Sequence, residues 1–273
     1  MHSSKTSSAR LSDIQREQFI QDGYVTVPGL LPPDAVALVR DRLLEATGQR
    51  QDDPATWNRS ATVLFDLCPL TTPCWTEELL DVSAELAGPH LHRGKLFSPY
   101  RESQGLDPYT EGYVPVLNYP TPGPKEFQEP PGYHLDGMHR TTLFPKLLYL
   151  VVFAYLTDVP AYGGATAAFP GSHRKMFTHW LGRETGEEGK IPDYTPDIDL
   201  GHPVPMPGEA GDVIFMHYLL AHSGSANHAD QIRIGLNSSI HPDAAHPYVH
   251  KNGPPQPDWT PLDWTLRTDN RTA

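Results

Sequence analysis

Cysteine is scarce in this chain: of 273 residues only Cys68 and Cys74, in "CPLTTPC", carry thiols. Their spacing fits neither a zinc knuckle nor a redox C-x-x-C pair, so a disulfide scaffold and a thiolate metal site are excluded, and two reduced, half-buried thiols are expected. Positive charge is also short, with 21 Lys+Arg against 33 Asp+Glu and a net charge of −12. That balance argues against a phosphate backbone and against an anionic membrane surface as partners, leaving room only for a local basic patch around a small pocket. Long apolar runs are missing too. The most apolar stretch, "LLYLVVFAYL" at 147–156, is far shorter than the roughly 20 residues that span a bilayer as a helix, and it reads as a buried strand. Neither an internal repeat nor a heptad pattern occurs, which removes solenoids and coiled coils. The opening "MHSSKTSSAR" lacks the apolar stretch of a secretory signal and the closing "RTA" is no peroxisomal tripeptide, so a cytoplasmic protein is expected.

What is present begins with helix signals. Ser12 in "SDIQ" is a helix cap with Gln15 three positions on, and Gly23 supplies a stop. "YVTVP" follows as a strand. Pro32 and Pro33 open a second helix with Val36, Val39 and Leu43 on one stripe, closed by Gly48. A third starts at Thr76, carries Glu77 and Glu78 in its first turn, aligns Leu79, Val82 and Leu86, and stops at Gly88. From about Gly94 the punctuation changes to short β-type runs between Pro and Gly: "KLFSPY", "YVPVLNY", "LLYLVVFAYL", "ATAAFP", "DVIFMHY" and "IRIGLNSSI". Successive short strands without helices between them predict a sandwich or jelly roll. The chain is long enough for one large domain. The expected layout is a single domain over 1–273, with a disordered tail at 1–10, a helix-rich flank at 11–93, a jelly-roll core at 94–240 and an extension at 241–273. With 29 prolines its loops should be stiff. The long ones are "PTPGPKEFQEPPG", "LGRETGEEGKIPDYTPDIDLG" and the segment after Ile240, and loops of such length are usually lids or disordered segments.

Chemistry concentrates in "GYHLDGMHR". In an extended strand His134 and Asp136 project to one side while Leu135 points to the other, so an imidazole and a carboxylate can share one ion. A third ligand must come from the remaining histidines. "FMHYLLAHSGSANHADQIRIGLN" offers His217, His222 and His228. His217 sits within a predicted strand and reads as a packed imidazole; His228 lies in a polar turn. His222 ends the apolar run directly before "SGS", where a strand opening into a small-residue turn presents its side chain to a cavity. His222 is therefore preferred and His217 is the reserve. In the next strand Ile232, Ile234, Leu236 and Ile240 alternate with Arg233, Gly235, Asn237 and Ser239. If the apolar face packs beneath the N-terminal helices, the polar face lines an interior, where an arginine is costly unless it meets an anion. Arg233 thus reads as a bidentate clamp for a carboxylate.

The order His134-x-Asp136, then "GGATAAFPGSHR", then His222, with Arg233 eleven positions on (233 − 222), resembles the phytanoyl-CoA dioxygenase family of non-haem iron, 2-oxoglutarate-dependent oxygenases. "FIQDGYVTVPGLL" is similar to that family's usual entry, and the resemblance runs over roughly 11–240. It implies a double-stranded β-helix, a mainly β, cupin-like jelly roll with flanking helices. It also implies Fe(II) held by His134, Asp136 and His222, 2-oxoglutarate and dioxygen as cosubstrates, and Arg233 on the far carboxylate of the keto acid. Two histidines and one carboxylate leave open positions on iron, as oxygen chemistry requires. Hydroxylation of a small molecule with release of succinate and CO2 is the implied outcome. Related halogenases have a small residue at the aspartate position, so Asp136 speaks against halogenation.

Thr166 in "GGAT" is placed to hydrogen-bond the cosubstrate or to pack in a sheet, and Asn118 to support the keto acid's first carboxylate or a turn. "PGSHR" reads as a structural turn, and Lys95 is a cosubstrate candidate that the loop lengths do not align. A thioester bearing several phosphates would want a basic mouth, and no Lys/Arg cluster stands beside these motifs, so a hydrophobic or mixed-polarity metabolite is expected. Two alternatives stay open: a cupin-like metal-binding isomerase or hydrolase that uses no 2-oxoglutarate, and a non-catalytic binding module. The oligomeric state is not legible.

Overall fold

The first helix forms where its cap stands. The Ser12 hydroxyl accepts from the Gln15 backbone N–H while the Gln15 side chain accepts from the Ser12 backbone N–H, and α1 runs Asp13–Asp22 until Gly23 closes it at φ 81°. The reciprocal bonds satisfy donors that a helix start otherwise leaves open. In this computed structural model the described residues are 10–89, 91, 96–97, 109–110, 112–136, 142–143, 150–183, 190–192 and 194–241. Lys95, most of the expected tail and the segment from 242 onward lie outside them. After α1 come β1 (Tyr24–Val27), α2 (Pro33–Thr47) and α3 (Glu77–Ala87). The stripes read from the sequence are the buried ones: Val36, Val39 and Leu43 in α2, and Leu79, Val82 and Leu86 in α3.

The β part comprises β2 (Leu96–Phe97), β3 (Tyr109–Thr110), β4 (Val114–Asn118), β5 (Leu150–Tyr155), β6 (Thr166–Ala168), β7 (Val204–Met206), β8 (Val213–His217), β9 (His222–Gly224) and β10 (Arg233–Ile240). Between β6 and β7 stands a helix, α4 (Ser172–Trp180). A five-stranded sheet has the order β1-β8-β5-β10-β4, a three-stranded sheet the order β7-β6-β9, and β2 pairs with β3. Every strand pairing among the described residues is antiparallel, and the fold is a jelly roll with flanking helices.

Register decides which side chains face the space between the sheets. Residues directly opposite one another in an antiparallel pair share a face. Arg233, Gly235 and Asn237 stand opposite Asn118, Val116 and Val114 on one side, and Gly235 and Asn237 stand opposite Tyr155 and Phe153 on the other. These residues form the inner face. On β4 that face is only half-buried, whereas Pro115 and Leu117 on the reverse side are buried. The reverse side of β10 carries Ile234, Leu236 and Ile240, none more than 1% exposed.

Two local readings change. The thiols are fully buried rather than half-buried, because the segment Phe65–Cys74 winds as a 3-10 helix with Pro69 and Pro73 inside it and turns both sulfurs inward. Burial pushes the Cys74 thiol up to about 12. "PGSHR" does make a turn, at Gly171 with φ 76°, but the turn also opens α4. Basic and aromatic residues masked the helix signal there.

Candidate metal centre

β9 is short, and its first residue does the work. His222 is 6% exposed, and its Nδ1 lies 2.9 Å from the Leu220 carbonyl. A carbonyl only accepts, so that contact puts the proton on Nδ1 and leaves the Nε2 lone pair free, the tautomer a metal ligand needs. Ser172, at the start of α4, accepts the Ala221 N–H at 3.0 Å, and the Phe169 N–H donates to the Ala221 carbonyl at 3.1 Å. The residue preceding His222 is thereby pinned from both sides.

His134 is added to the free edge of β9. Its N–H donates to the His222 carbonyl at 3.0 Å and its carbonyl accepts the His222 N–H at 3.1 Å. This exchange puts both imidazoles on one face, with ring centroids 4.8 Å apart. Asp136, two residues on, brings Oδ1 to 3.4 Å from His134 Nε2 and 3.6 Å from His222 Nε2. The candidate ligand atoms of His134, Asp136 and His222 all lie within 4.8 Å of one another. Burial alone would raise the Asp136 carboxyl, but the facing imidazoles override it and hold it well below the usual carboxylate range. Burial likewise pulls His222 down, and Asp136 pulls it further up. A carboxylate against two imidazoles is the charge pattern of a divalent cation site of mixed N and O ligands. His134 keeps the centre open, its side chain being 51% accessible against 7% for His222.

His217 does not join this cluster. On β8 it pairs with Leu150 of β5, which puts its side chain on the face away from the inner row, against Phe19 and His173, with 0% exposure. His228 is tied to the Thr121 carbonyl at 3.0 Å.

Arg233 is 5% exposed, and its Nε and Nη1 are buried with no hydrogen-bond partner. Its guanidinium lies over the Phe153 ring at 5.2 Å. Burial lowers its pKa and the nearby Tyr155 acts in the opposite direction, while no carboxylate among the described residues pairs with it. Its Nη2 comes 3.6 Å from where a Cβ on Gly224 would stand. Gly224 is two residues from His222 on the same face of β9, about 7 Å along the strand. An orphaned buried cation thus stands one side-chain step from the histidine–aspartate cluster, facing the same space. Thr166 pairs with Gly224 and so shares that face; its N–H donates to the Tyr155 hydroxyl at 3.1 Å. Asn118 stands cross-strand from Arg233, but its Nδ2 donates to the Ser225 carbonyl at 2.8 Å and its own carbonyl accepts from Asn227. That engagement makes it a brace between β4 and the turn after β9. Asn237, whose Nδ2 donates to Asp136 Oδ2 at 3.3 Å, received no role from the sequence. The strict alternation that picked out Arg233 placed Asn237 on the same face and was the signal available.

Comparison with known proteins agrees with this geometry. The family model described as phytanoyl-CoA dioxygenase (PhyH) matches residues 116–235, a segment that holds His134, Asp136, His222 and Arg233. Over that segment the chain is similar to the phytanoyl-CoA dioxygenase family. Among relatives, the dioxygenase FrzG of a Cladobotryum species is 27% identical over 260 residues, covering 85% of this chain and 76% of FrzG. The ectoine dioxygenase of Sphingopyxis alaskensis is 26% identical, covering 83% of this chain and 74% of that enzyme. Among solved structures, the epimerase SnoN in complex with Fe3+, alpha-ketoglutarate and nogalamycin RO superposes with a TM-score of 0.54 at 25% identity, over 85% of this chain and 83% of SnoN. Together with these dioxygenase relatives, the match makes the chain an oxygenase.

Proposed function

We propose that His134, Asp136 and His222 hold Fe(II), that Arg233 binds the far carboxylate of 2-oxoglutarate, and that the protein oxidises a small metabolite with release of succinate and CO2. The observation that carries this reading is the pairing of a two-histidine, one-carboxylate cluster with an unpartnered buried guanidinium on the same inner face. The donor set suits iron, and the guanidinium suits a dicarboxylate, since a buried cation is stable only beside an anion. Bound iron supplies activation of dioxygen coupled to decarboxylation of the keto acid. The chain's own groups then have distinct work. Leu220 fixes the tautomer of His222, Arg233 orients the dicarboxylate bidentately, and Phe153 and Tyr155 wall the guanidinium from water.

The site is open to solvent on the His134 side, and the metabolite would enter there. Tyr194 forms a backbone bridge to His134, which already pairs with His222, so the three side chains share one row; Tyr194 is 62% exposed. An exposed ring beside an open metal position suits a substrate with an apolar or planar surface. No helix among the described residues is long and apolar enough to cross a membrane.

Arg233 separates this reading from a 2-oxoglutarate-independent isomerase, which has no use for a guanidinium there. Anaerobic Fe(II) and 2-oxoglutarate should together give a weak visible charge-transfer band, absent with either alone. The His134→Ala, Asp136→Ala and His222→Ala variants should each lose the band and succinate release, while His217→Ala retains part of both. A wild-type protein with metal bound and no band would overturn the assignment.

A further inference from the structure

We infer that Asn237 is a positioning residue of the metal centre: its amide N–H holds one oxygen of Asp136 so that the other faces the two imidazoles. The inference rests on the metal assignment proposed above. Asn237 Nδ2 donates to Asp136 Oδ2 at 3.3 Å, while Oδ1 is the oxygen lying 3.4 Å and 3.6 Å from the imidazole nitrogens. The two carboxylate oxygens thus divide their tasks. The amide orientation follows from chemistry, since turning it over would set a carbonyl oxygen against a carboxylate oxygen and leave two acceptors opposed. It is kept at a cost, because Asn237 Oδ1 is buried and no described residue donates to it. A side chain recruited only to complete a local network would not leave its other end unsatisfied.

The placement of Asn237 adds a second argument. It stands on β10 four residues from Arg233 (237 − 233), on the same inner face, with Gly235 between them. A Cβ on Gly235 would fall 2.4 Å from Phe153 Cζ and 2.9 Å from Arg233 Nη1, so nothing larger than hydrogen fits on the strand between the two polar groups. One rigid, doubly paired strand therefore sets both the carboxylate ligand and the anion anchor, at a separation along the strand of about 13 Å. Moving Asn237 moves the ligand relative to the anchor.

Cobalt(II) titration of the metal-free protein, followed by its visible absorption, tests this without turnover. Asn237→Leu keeps the volume and loses the donor. Asn237→Ser stays polar but is too short to reach Asp136. Removing a partner of a metal ligand typically weakens binding 10–100-fold, so both variants should show a cobalt Kd raised by about tenfold or more. Both should also show an altered ligand-field spectrum, while the metal-free melting temperature reports whether the fold persists. Asn237→Gln, which keeps the amide donor, should recover part of the affinity and the wild-type spectral shape. If either folded variant binds cobalt with wild-type affinity and spectrum, Asn237 has no positioning role. If wild type itself fails to bind cobalt, or Asp136→Ala binds it equally well, the metal assignment fails instead, and the two failures are told apart by that pair of controls.

Discussion

A single residue, Arg233, shows how a cost in stability points to function. A guanidinium that is 5% exposed, with Nε and Nη1 unpartnered, is destabilising in the free protein, and its contact with the Phe153 ring offsets only part of that. Arg233→Met should therefore leave the metal-free melting temperature unchanged or raise it, while abolishing the charge-transfer band and succinate release. A fall of several degrees in the metal-free protein would mean that the guanidinium is paired in solution, and the anion-anchor role would lose its basis. Arg233 was legible in the sequence because alternation along one strand is strict and an arginine inside a row of small and polar residues is out of place. His134, Asp136 and His222 were legible for a similar reason, each being placed by strand geometry. Alternation gave Asn237 its face but not its role, and Leu220 neither, because those roles depend on which single atom stands opposite a ligand, and no pattern along the chain encodes that. Ser172 was hidden in a motif read as a turn.

At the scale of elements, the contact of α1, α4 and β8 is closed by two buried imidazoles. His173 and His217 have ring centroids 5.0 Å apart, both at 0% exposure. Burial, reinforced by Arg174, lowers His173 to about 3; burial, reinforced by His173 and Arg174, holds His217 well below its usual value. The unfolded chain takes a proton on each near pH 6.5, which the folded chain refuses, so their contribution is complete above that pH and is lost as the pH falls toward 3. The slope approaches ~1.4 kcal/mol per pH unit for each histidine. His222 is raised and acts in the opposite sense, contributing below pH 6.5 and losing that contribution as the pH rises through its folded value. Urea unfolding of the metal-free protein should show stability falling between pH 6.5 and 5, and His217→Gln should flatten that fall by about 1–2 kcal/mol. An equal slope in the variant would mean that His217 is not buried neutral. The helices at this end, α1 to α3, were readable from caps and stripes because those signals are local. α4 was not, since its buried face is built from Ser172, His173, Met176 and Phe177, a mixture that follows its packing partners rather than an apolar period.

For the molecule as a whole, the centre adds a further link between sheets already joined by packing and by the hydrogen bonds of Tyr155 and Asn118. His134 comes from an edge segment and His222 from the three-stranded sheet, while Asn237 and Arg233 come from the five-stranded sheet. An ion and a dicarboxylate bound between the sheets should therefore stabilise the native state, because neither has a site in the unfolded chain. At a hundredfold excess over Kd each adds about 2.7 kcal/mol. For a domain of this size that corresponds to a rise of roughly 5–10 °C in melting temperature. The order of addition carries the argument. Metal alone should raise the melting temperature, 2-oxoglutarate alone should do little, and the two together should exceed the metal alone, with a chelator reversing all of it. In Arg233→Met the metal increment should survive and the keto-acid increment disappear; in Asp136→Ala both should go. If 2-oxoglutarate stabilises the metal-free protein as much as the loaded one, the dicarboxylate is held by the guanidinium alone, and the two halves of the site are independent rather than one centre.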